Sequence, residues 1–297
     1  MWTGQILKFW VTEHEQQKLY PVHQPMHTDF SPELDVSPHL SDEDINFYQS
    51  QISILRWMVE LGRLDINIHV ALLSSYLCQL RMGHLEAVYY LFGYLKAHDR
   101  STMVFDSEYI NWRDEDFPIQ DWTDFYQNVE EDIPRNAPEP RGMPIQINAF
   151  VDASHARNKV TRRSHTGILI HLNRAPIIWY SKAQRTVETS TFGAEFIALR
   201  IGTELIKSLR YKLRMMGVPI EGAANVLVDN ESVVKNSTIP SSTLQKKHNA
   251  ICYHYVHEAV AAGCIRGAYV PSEENLADML TKPMGATKLT FAQRILY

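Results

Sequence analysis

The chain has 297 residues, 45% of them hydrophobic, so it is long enough to bury one large core or two ordinary ones. Its cysteines, Cys78, Cys252 and Cys264, include no C-x-x-C pair, which argues against a disulfide framework and a zinc ribbon and predicts a reducing, intracellular setting. The longest apolar run, residues 87–95, falls short of the roughly 20 residues of a membrane helix, and no charged-then-apolar leader opens the chain. We therefore expect a soluble protein that is not secreted.

The net charge of −5 hides an uneven distribution along the chain. Residues 1–144 carry 10 Lys or Arg and 23 Asp or Glu, whereas residues 145–297 carry 19 and 11. A cationic second half suits the binding of a phosphate backbone, although many basic domains never contact nucleic acid.

The first half of the chain predicts a small helical region. Residues 1–30 show no clean period, and we assign them neither structure nor function. The prolines of PELDVSP predict an extended lead-in, and apolar spacing then predicts helices near residues 42–61, 66–79 and 84–97. Residues 109–144 combine many acids with prolines, which predicts a linker, while their aromatic residues favour docking of part of it on a neighbouring domain.

The second half changes to strand patterns. Strands are predicted at residues 144–153, 165–172, 175–181, 224–229 and 264–270, the first three as an antiparallel meander. A long helix from residue 190 to 216 follows the third strand, and further helices are predicted at 231–236, at 245–262 and from residue 276. This order predicts an α/β domain with a mixed five-stranded sheet flanked by helices.

Four acids stand at the ends of these elements, namely Asp152, Glu195, Asp229 and Asp278. Because a helix connects the third strand to the fourth, the first and fourth strands can lie side by side and parallel, which would bring Asp152 and Asp229 together. Converging carboxylates repel one another unless cations hold them, and all-oxygen ligands favour Mg²⁺ or Mn²⁺ over zinc. The pattern therefore predicts a divalent-metal site.

The sequence around these acids carries a family resemblance. Its motifs are FVDASHA (150–156), TSTFGAEFIAL (189–199), VDNES (228–232) and NLADMLTKP (275–283). They resemble the ribonuclease H domain of copia-type retrotransposon polyproteins over residues 145–284. Residues 31–108, which include RMGHLEAVYYLFGYLK, resemble the region after the reverse transcriptase palm of these polyproteins, but the polymerase's Asp-Asp pair does not occur in the sequence.

The resemblance implies an endonuclease that cuts the RNA strand of RNA–DNA hybrids with two Mg²⁺ ions, or with Mn²⁺. Asp152 would bind both ions, Glu195 and Asp229 the ion at the leaving 3′ oxygen, and Asp278 the ion that activates water. Groove shape and 2′-hydroxyl contacts would select the hybrid. A reverse transcriptase core supplied by another chain is a further expected partner, and residues 285–297 are assigned to a tail.

Several basic and polar residues are candidates for contact with nucleic acid. Between the first two strands these are Arg157, Lys159, Arg162 and Arg163, and at the end of the third strand they are Lys182 and Gln184. Phosphate contact suits the basic run, but a solvated hairpin explains it equally well.

The loop before the last predicted helix departs from the wider ribonuclease H fold, many members of which have a His there. Residues 271–275 contain none. Three alternatives stay open: Glu273 or Glu274 substitutes for the histidine, the step is slower without one, or both are ordinary loop acids. His254 and His257 lack the spacing of an H-E-x-x-H metal site, which favours a surface or packing role.

Two other functions stay open beside the hybrid-cutting nuclease. A catalytically inactive retroelement remnant that binds nucleic acid or a protein agrees with the missing palm, although all four acids are present. A transposase or resolvase that cuts DNA on the same fold agrees less well with the spacer sequences.

Overall fold

The structure, a computed structural model, describes residues 19–127, 129–243 and 249–296. The described helices are α1 (Asp42–Glu60), α2 (Asn67–Leu73), α3 (Met82–Ala97), α4 (Thr191–Met215), α5 (Glu231–Thr238), α6 (Ala250–Ala261) and α7 (Ala286–Leu296). The strands are β1 (Ile147–Ser154), β2 (His165–Leu172), β3 (Ala175–Ala183), β4 (Ala224–Val228) and β5 (Ile265–Tyr269). Most of the lead at residues 1–30 and the predicted start of the helix at residue 245 lie outside the described residues. Among the described helices, none combines the length and apolarity needed to cross a membrane.

By compactness, the chain forms two units. The first contains the described residues up to Val104, the segment Ala156–Arg163 and the residues from Met279 onward. The second contains Phe105–His155 and Ser164–Asp278. The domain limits predicted at residues 30, 108, 144 and 284 stay predictions, but the predicted linker lies in the second unit and the predicted tail in the first.

A buried polar network fixes helices α3 and α7 in the first unit. Arg63 donates two hydrogen bonds to Asp65, at 3.0 and 2.8 Å, and both residues are buried. Tyr94 of α3 donates to the same carboxylate at 2.7 Å, and Gln293 of α7 donates to the Tyr94 hydroxyl at 2.6 Å. Burial of these polar groups is tolerated because they bind one another.

The second unit is built on a five-stranded sheet with the order β3-β2-β1-β4-β5. Strands β1, β2 and β3 pair antiparallel, whereas β4 pairs parallel to β1 and to β5. One face of β1 presents Ile147, Ala149 and Val151 to a core that includes residues of α4 and α6. The predicted mixed sheet flanked by helices is thus confirmed.

Helix α4 lies close against the centre of the sheet. Ser190 is its N-cap, and the side chain accepts a hydrogen bond from the amide of Gly193. At Gly202, an added Cβ would lie 3.2 Å from a methyl group of Val151, so glycine permits the close approach of α4 to β1. Phe196 and Ile206 of the same helix are fully buried in the core.

The opposite face of the sheet is contacted by the predicted linker, residues 109–144, whose described residues we call the acidic strap. The indole of Trp112 donates to Asn148 of β1 at 2.7 Å, and Asn225 of β4 donates to the same oxygen at 2.8 Å. Arg266 of β5 donates to Asn225 at 2.6 Å and stacks 4.4 Å from the ring centre of Phe117. The strap is therefore a packed layer of the second unit.

An ion pair also anchors the strap to helix α4. Glu131 accepts hydrogen bonds from Arg210 at 2.7 and 2.8 Å and a further one from Arg214. Burial alone would raise the pKa of the Glu131 carboxyl, but the hydrogen bonds and charges of the two arginines outweigh it and lower this pKa to about 2.

His257 has a packing role, as the sequence predicted. It is buried, its ring contacts Trp122 edge-on at 4.9 Å, and its Nε2 binds the carbonyl of Asn236 at 2.6 Å. His254 is exposed and binds the Tyr126 hydroxyl at 2.8 Å.

Two predicted helices differ from the observed ones. The helix predicted at residues 66–79 ends at Leu73, where Ser74 and Ser75 bond back to carbonyls four residues earlier and a 3-10 turn follows. The helix predicted from residue 276 is a 3-10 turn, Leu276–Leu280, and α7 begins only after Pro283, which cannot donate a backbone hydrogen bond.

Replacing Glu131 with Gln should destabilise the chain by about 2 kcal/mol in urea denaturation at pH 7, because the buried Arg210 guanidinium loses its counter-charge. The pKa of Glu131 is lower in the folded chain than its ordinary value of 4.5. The stability difference between wild type and variant should therefore be full above pH 4.5 and shrink as the pH falls from 4.5 towards 2.

The matched control is Glu130→Gln, which removes the same charge from the exposed neighbouring residue. It should change the free energy of unfolding by less than about 0.5 kcal/mol. Equal effects of the two substitutions would contradict a specific anchor at Glu131.

Candidate active site

Strand register brings the first two acids together. Asp152 lies near the end of β1, and Asp229 directly follows β4. The last paired residues of the parallel β1–β4 ladder are Val151 and Val228, so each acid is the next residue on its strand. Parallel pairing in register therefore places the two carboxylates beside each other.

The third acid is brought to the same place by a side-chain anchor. Asn275, which is buried, donates from its amide to the carbonyl of Val151 at 3.0 Å. Its own side-chain oxygen accepts from the amide of Ala277 at 3.1 Å, and its carbonyl accepts from that of Asp278 at 3.2 Å. The 3-10 turn is thus held against the residue that precedes Asp152, which delivers Asp278 to the site.

Asp152, Asp229 and Asp278 form a compact acidic group. One carboxylate oxygen from each lies within 4.8 Å of the others. Asp278 is fully buried, Asp152 is 4% exposed, and Asp229 is half-buried. In the described part of the chain, Oδ1 of Asp229 is buried without a hydrogen-bond partner, and such an oxygen is stabilised by a cation. This all-oxygen donor set fits Mg²⁺ or Mn²⁺.

Among the described residues, the group of carboxylates whose oxygens lie within 4.8 Å of one another does not include Glu195. Glu195 is the fifth residue of α4 and so begins the second helical turn. Its position is set by Gln184, whose amide donates to the carbonyl of Ala194 at 2.8 Å and to the Thr166 hydroxyl at 3.0 Å. Thr166 pairs with Ala153, the residue after Asp152.

Gln184 thus holds β2 to the start of α4, and its side chain is buried. That burial does not favour its predicted contact with nucleic acid. Lys182 on the edge strand β3 is exposed, as phosphate contact would require.

The basic run between β1 and β2 belongs to the first unit. Arg157 donates to the carbonyl of Phe30, and the backbone amide of Lys159 donates to the Glu33 carboxylate at 2.9 Å. The side chains of Lys159, Arg162 and Arg163 are exposed. Contact of these residues with nucleic acid remains a prediction. Arg157 also has a structural role, because its guanidinium binds the Phe30 carbonyl.

Sequence reasoning missed two residues at the site, Asn275 and Ser272. Ser272 donates its hydroxyl to Oδ2 of Asp229 at 2.7 Å. Both residues lie in the 271–275 loop, and their polar side chains within six residues of the candidate ligand Asp278 were the available signal. Glu273 and Glu274 are exposed.

The strand order, the three antiparallel leading strands and the acids that meet beside β1 define a ribonuclease H-like α/β domain. The chain is similar to retrovirus-related Pol polyproteins of plant transposons. It is 29% identical over 156 residues to that of transposon RE1 from Arabidopsis thaliana, covering 52% of this chain and 11% of that protein. It is 25% identical over 249 residues to that of transposon TNT 1-94 from Nicotiana tabacum, covering 84% and 16%.

The resemblance to retrotransposon polyproteins predicted from the motifs is confirmed by these relatives, of which the chain spans only a small fraction. No protein-family model matches it. Structural neighbours include the N-terminal RNase H domain of a Mycobacterium tuberculosis protein, at 14% identity and a TM-score of 0.36, covering 50% of this chain and 97% of the neighbour. Another is LC11-RNase H1 in complex with an RNA/DNA hybrid, at 17% identity and a TM-score of 0.37, covering 46% and 94%.

Replacing Asp229 with Asn should stabilise the metal-free chain, because it removes one of three like charges that lie within 4.8 Å. The expected gain is roughly 1–2 kcal/mol, a fraction of the about 4 kcal/mol between unit charges 4 Å apart at an effective dielectric constant of 20. Urea denaturation in EDTA measures it, with the exposed Asp132→Asn as a control that should have no effect.

Added Mg²⁺ should then reverse the order, stabilising the wild type more than Asp229→Asn. A wild type that is the more stable protein in EDTA would show that the three carboxylates do not repel one another appreciably.

Proposed function

We propose that the second unit is a divalent-metal-dependent endonuclease that cleaves the RNA strand of RNA–DNA hybrids. The observation that carries this proposal is the convergence of Asp152, Asp229 and Asp278 within 4.8 Å beside the central strand of a ribonuclease H-like sheet. The fold and the Pol polyprotein relatives support a nuclease of the ribonuclease H type.

The carboxylates are the proposed ligands of two Mg²⁺ or Mn²⁺ ions. Bound there, such ions would stabilise charge at the scissile phosphate and lower the pKa of the attacking water. Asp152 is proposed to bind both ions. Asp229 and Glu195 would bind the ion near the leaving 3′ oxygen, and Asp278 would bind the ion that activates water.

Exposed cations are the proposed contacts to the hybrid backbone. Lys159, Arg162, Arg163 and Lys182 are all exposed. Each phosphate that they neutralise would release counterions, so hybrid binding should weaken as salt increases. Selection of a hybrid over duplex DNA would come from 2′-hydroxyl contacts and groove shape rather than from base sequence.

A polymerase partner is also proposed. The relatives are Pol polyproteins much longer than this chain, which covers 16% of the tobacco protein. A reverse transcriptase core supplied by another chain is the proposed source of the hybrid that this unit cuts.

The test is an internally labelled RNA–DNA hybrid incubated with the full chain and Mg²⁺ or Mn²⁺. The wild type should cut the RNA strand and leave 5′-phosphate and 3′-hydroxyl ends, and EDTA should stop it. Asp152→Asn should lower the rate at least about 100-fold, since it removes the ligand proposed for both ions. Asp132→Asn should cut normally; cleavage that persists in Asp152→Asn would refute the site.

A second candidate function is a catalytically inactive module that binds nucleic acid. The observation that favours it is the position of Glu195 outside the three-acid group. Tight, salt-sensitive hybrid binding without turnover would select this function, and a cleavage rate unaffected by Glu195→Gln would show that three acids suffice. Cutting of duplex DNA instead of hybrid would favour a transposase-like or resolvase-like activity.

A further inference from the structure

The loop between β5 and the turn that carries Asp278 is fixed at both ends near the acids. Before the loop, the amide of Val270 donates to the carbonyl of Val228 at 3.1 Å. After it, Asn275 is anchored on Val151 at 3.0 Å. Within the loop, the carbonyl of Pro271 accepts from the amides of Glu274 and Asn275 at 2.9 and 3.1 Å. Ser272 therefore stands on a turn with a defined backbone.

The Ser272 hydroxyl makes the two oxygens of Asp229 unequal. It donates to Oδ2 at 2.7 Å, which is a charge-assisted hydrogen bond at its ordinary length. In the described part of the chain, Oδ1 of the same carboxylate is buried and accepts no hydrogen bond. A carboxylate held by one oxygen cannot rotate freely, so the other oxygen keeps its direction.

We propose that Ser272 is a positioning residue for the metal ligand Asp229. By fixing Oδ2, it keeps Oδ1 available to a cation and keeps the carboxylate in the group with Asp152 and Asp278. The inference rests on the proposed function, because the cation is the Mg²⁺ or Mn²⁺ that is proposed there to bind Asp229. Ser272 belongs to the loop in which the wider fold often has a histidine. In this chain, a hydroxyl from that loop orients the proposed metal ligand Asp229.

Partners that orient a metal ligand usually contribute about 10–100-fold to metal affinity. Ser272→Ala removes the hydrogen bond without changing any charge, and Ser272→Thr retains a hydroxyl on the same Cβ. Ser208→Ala is the matched control, because Ser208 is an exposed serine on α4.

The readout is Mn²⁺ binding to the full chain without nucleic acid, measured by the electron paramagnetic resonance signal of free Mn²⁺. Ser272→Ala should raise the Mn²⁺ Kd by about 10-fold, while Ser272→Thr and Ser208→Ala should stay within about 2-fold of wild type. Urea denaturation in EDTA should show equal stability for all four proteins, since Ser272 is exposed and its loss empties no core.

An unchanged Mn²⁺ Kd in Ser272→Ala overturns the positioning role. An equal loss of Mn²⁺ affinity in Ser272→Thr also overturns it, as does a loss of affinity that is explained by lower stability of Ser272→Ala in urea. A wild type that cuts hybrid while Ser272→Ala binds Mn²⁺ normally overturns this role alone. If the wild type binds Mn²⁺, Ser272→Ala binds it more weakly and the wild type cuts no hybrid, the positioning role is upheld and the proposed nuclease is overturned. A wild type that binds no Mn²⁺ overturns both.

Discussion

The second unit depends on holding like charges together. Three carboxylates lie within 4.8 Å, and their repulsion would separate them if each were on a mobile loop. Each is instead held by a fixed element: Asp152 by the central strand, Asp229 by the parallel register of β4 with β1, and Asp278 by the side-chain anchor of Asn275 on Val151. The central position of β1 supplies all three constraints, since it gives β4 a partner and the turn a carbonyl to bind. The stability of the sheet is therefore what keeps an unfavourable charge arrangement in place.

Local patterns predicted the sheet and the convergence of Asp152 and Asp229, because alternation, helix caps and crossover rules depend on neighbours in sequence. These patterns did not identify the contacts between residues that are far apart in the sequence. The aromatic residues of the acidic strap predicted that part of it docks, and Trp112 does so by binding Asn148. No local pattern indicates which residues pair, or that Glu131 binds Arg210. Gln184 at a strand end was a candidate for contact with nucleic acid, and its burial follows from hydrogen bonds to Thr166 and to α4. The turn at Asp278 likewise depends on Asn275, which no helical period reveals.

The strap also changes the meaning of the charge distribution. The second half of the chain carries 19 cationic residues against 11 acidic ones, which by itself indicates a surface for phosphate. Part of that excess is used within the second unit, because Arg210 and Arg214 bind Glu131 and Arg266 binds Asp114 at 3.2 Å. Acids of the first half thus neutralise cations of the second, and the cations that remain exposed are fewer than the sequence total implies.

The hydrogen bond from Gln293 to Tyr94 has a consequence for the order in which the chain is made. Helix α3 is synthesised early, yet its partner on α7 emerges from the ribosome almost two hundred residues later. The sheet of the second unit can pair as soon as β5 has been translated, whereas the first unit has to wait, with part of its interior open, for the residues beyond Met279. Such late closure of a long loop is slow and leaves apolar surface exposed in the meantime. The first unit is accordingly the part of this chain whose packing is completed last.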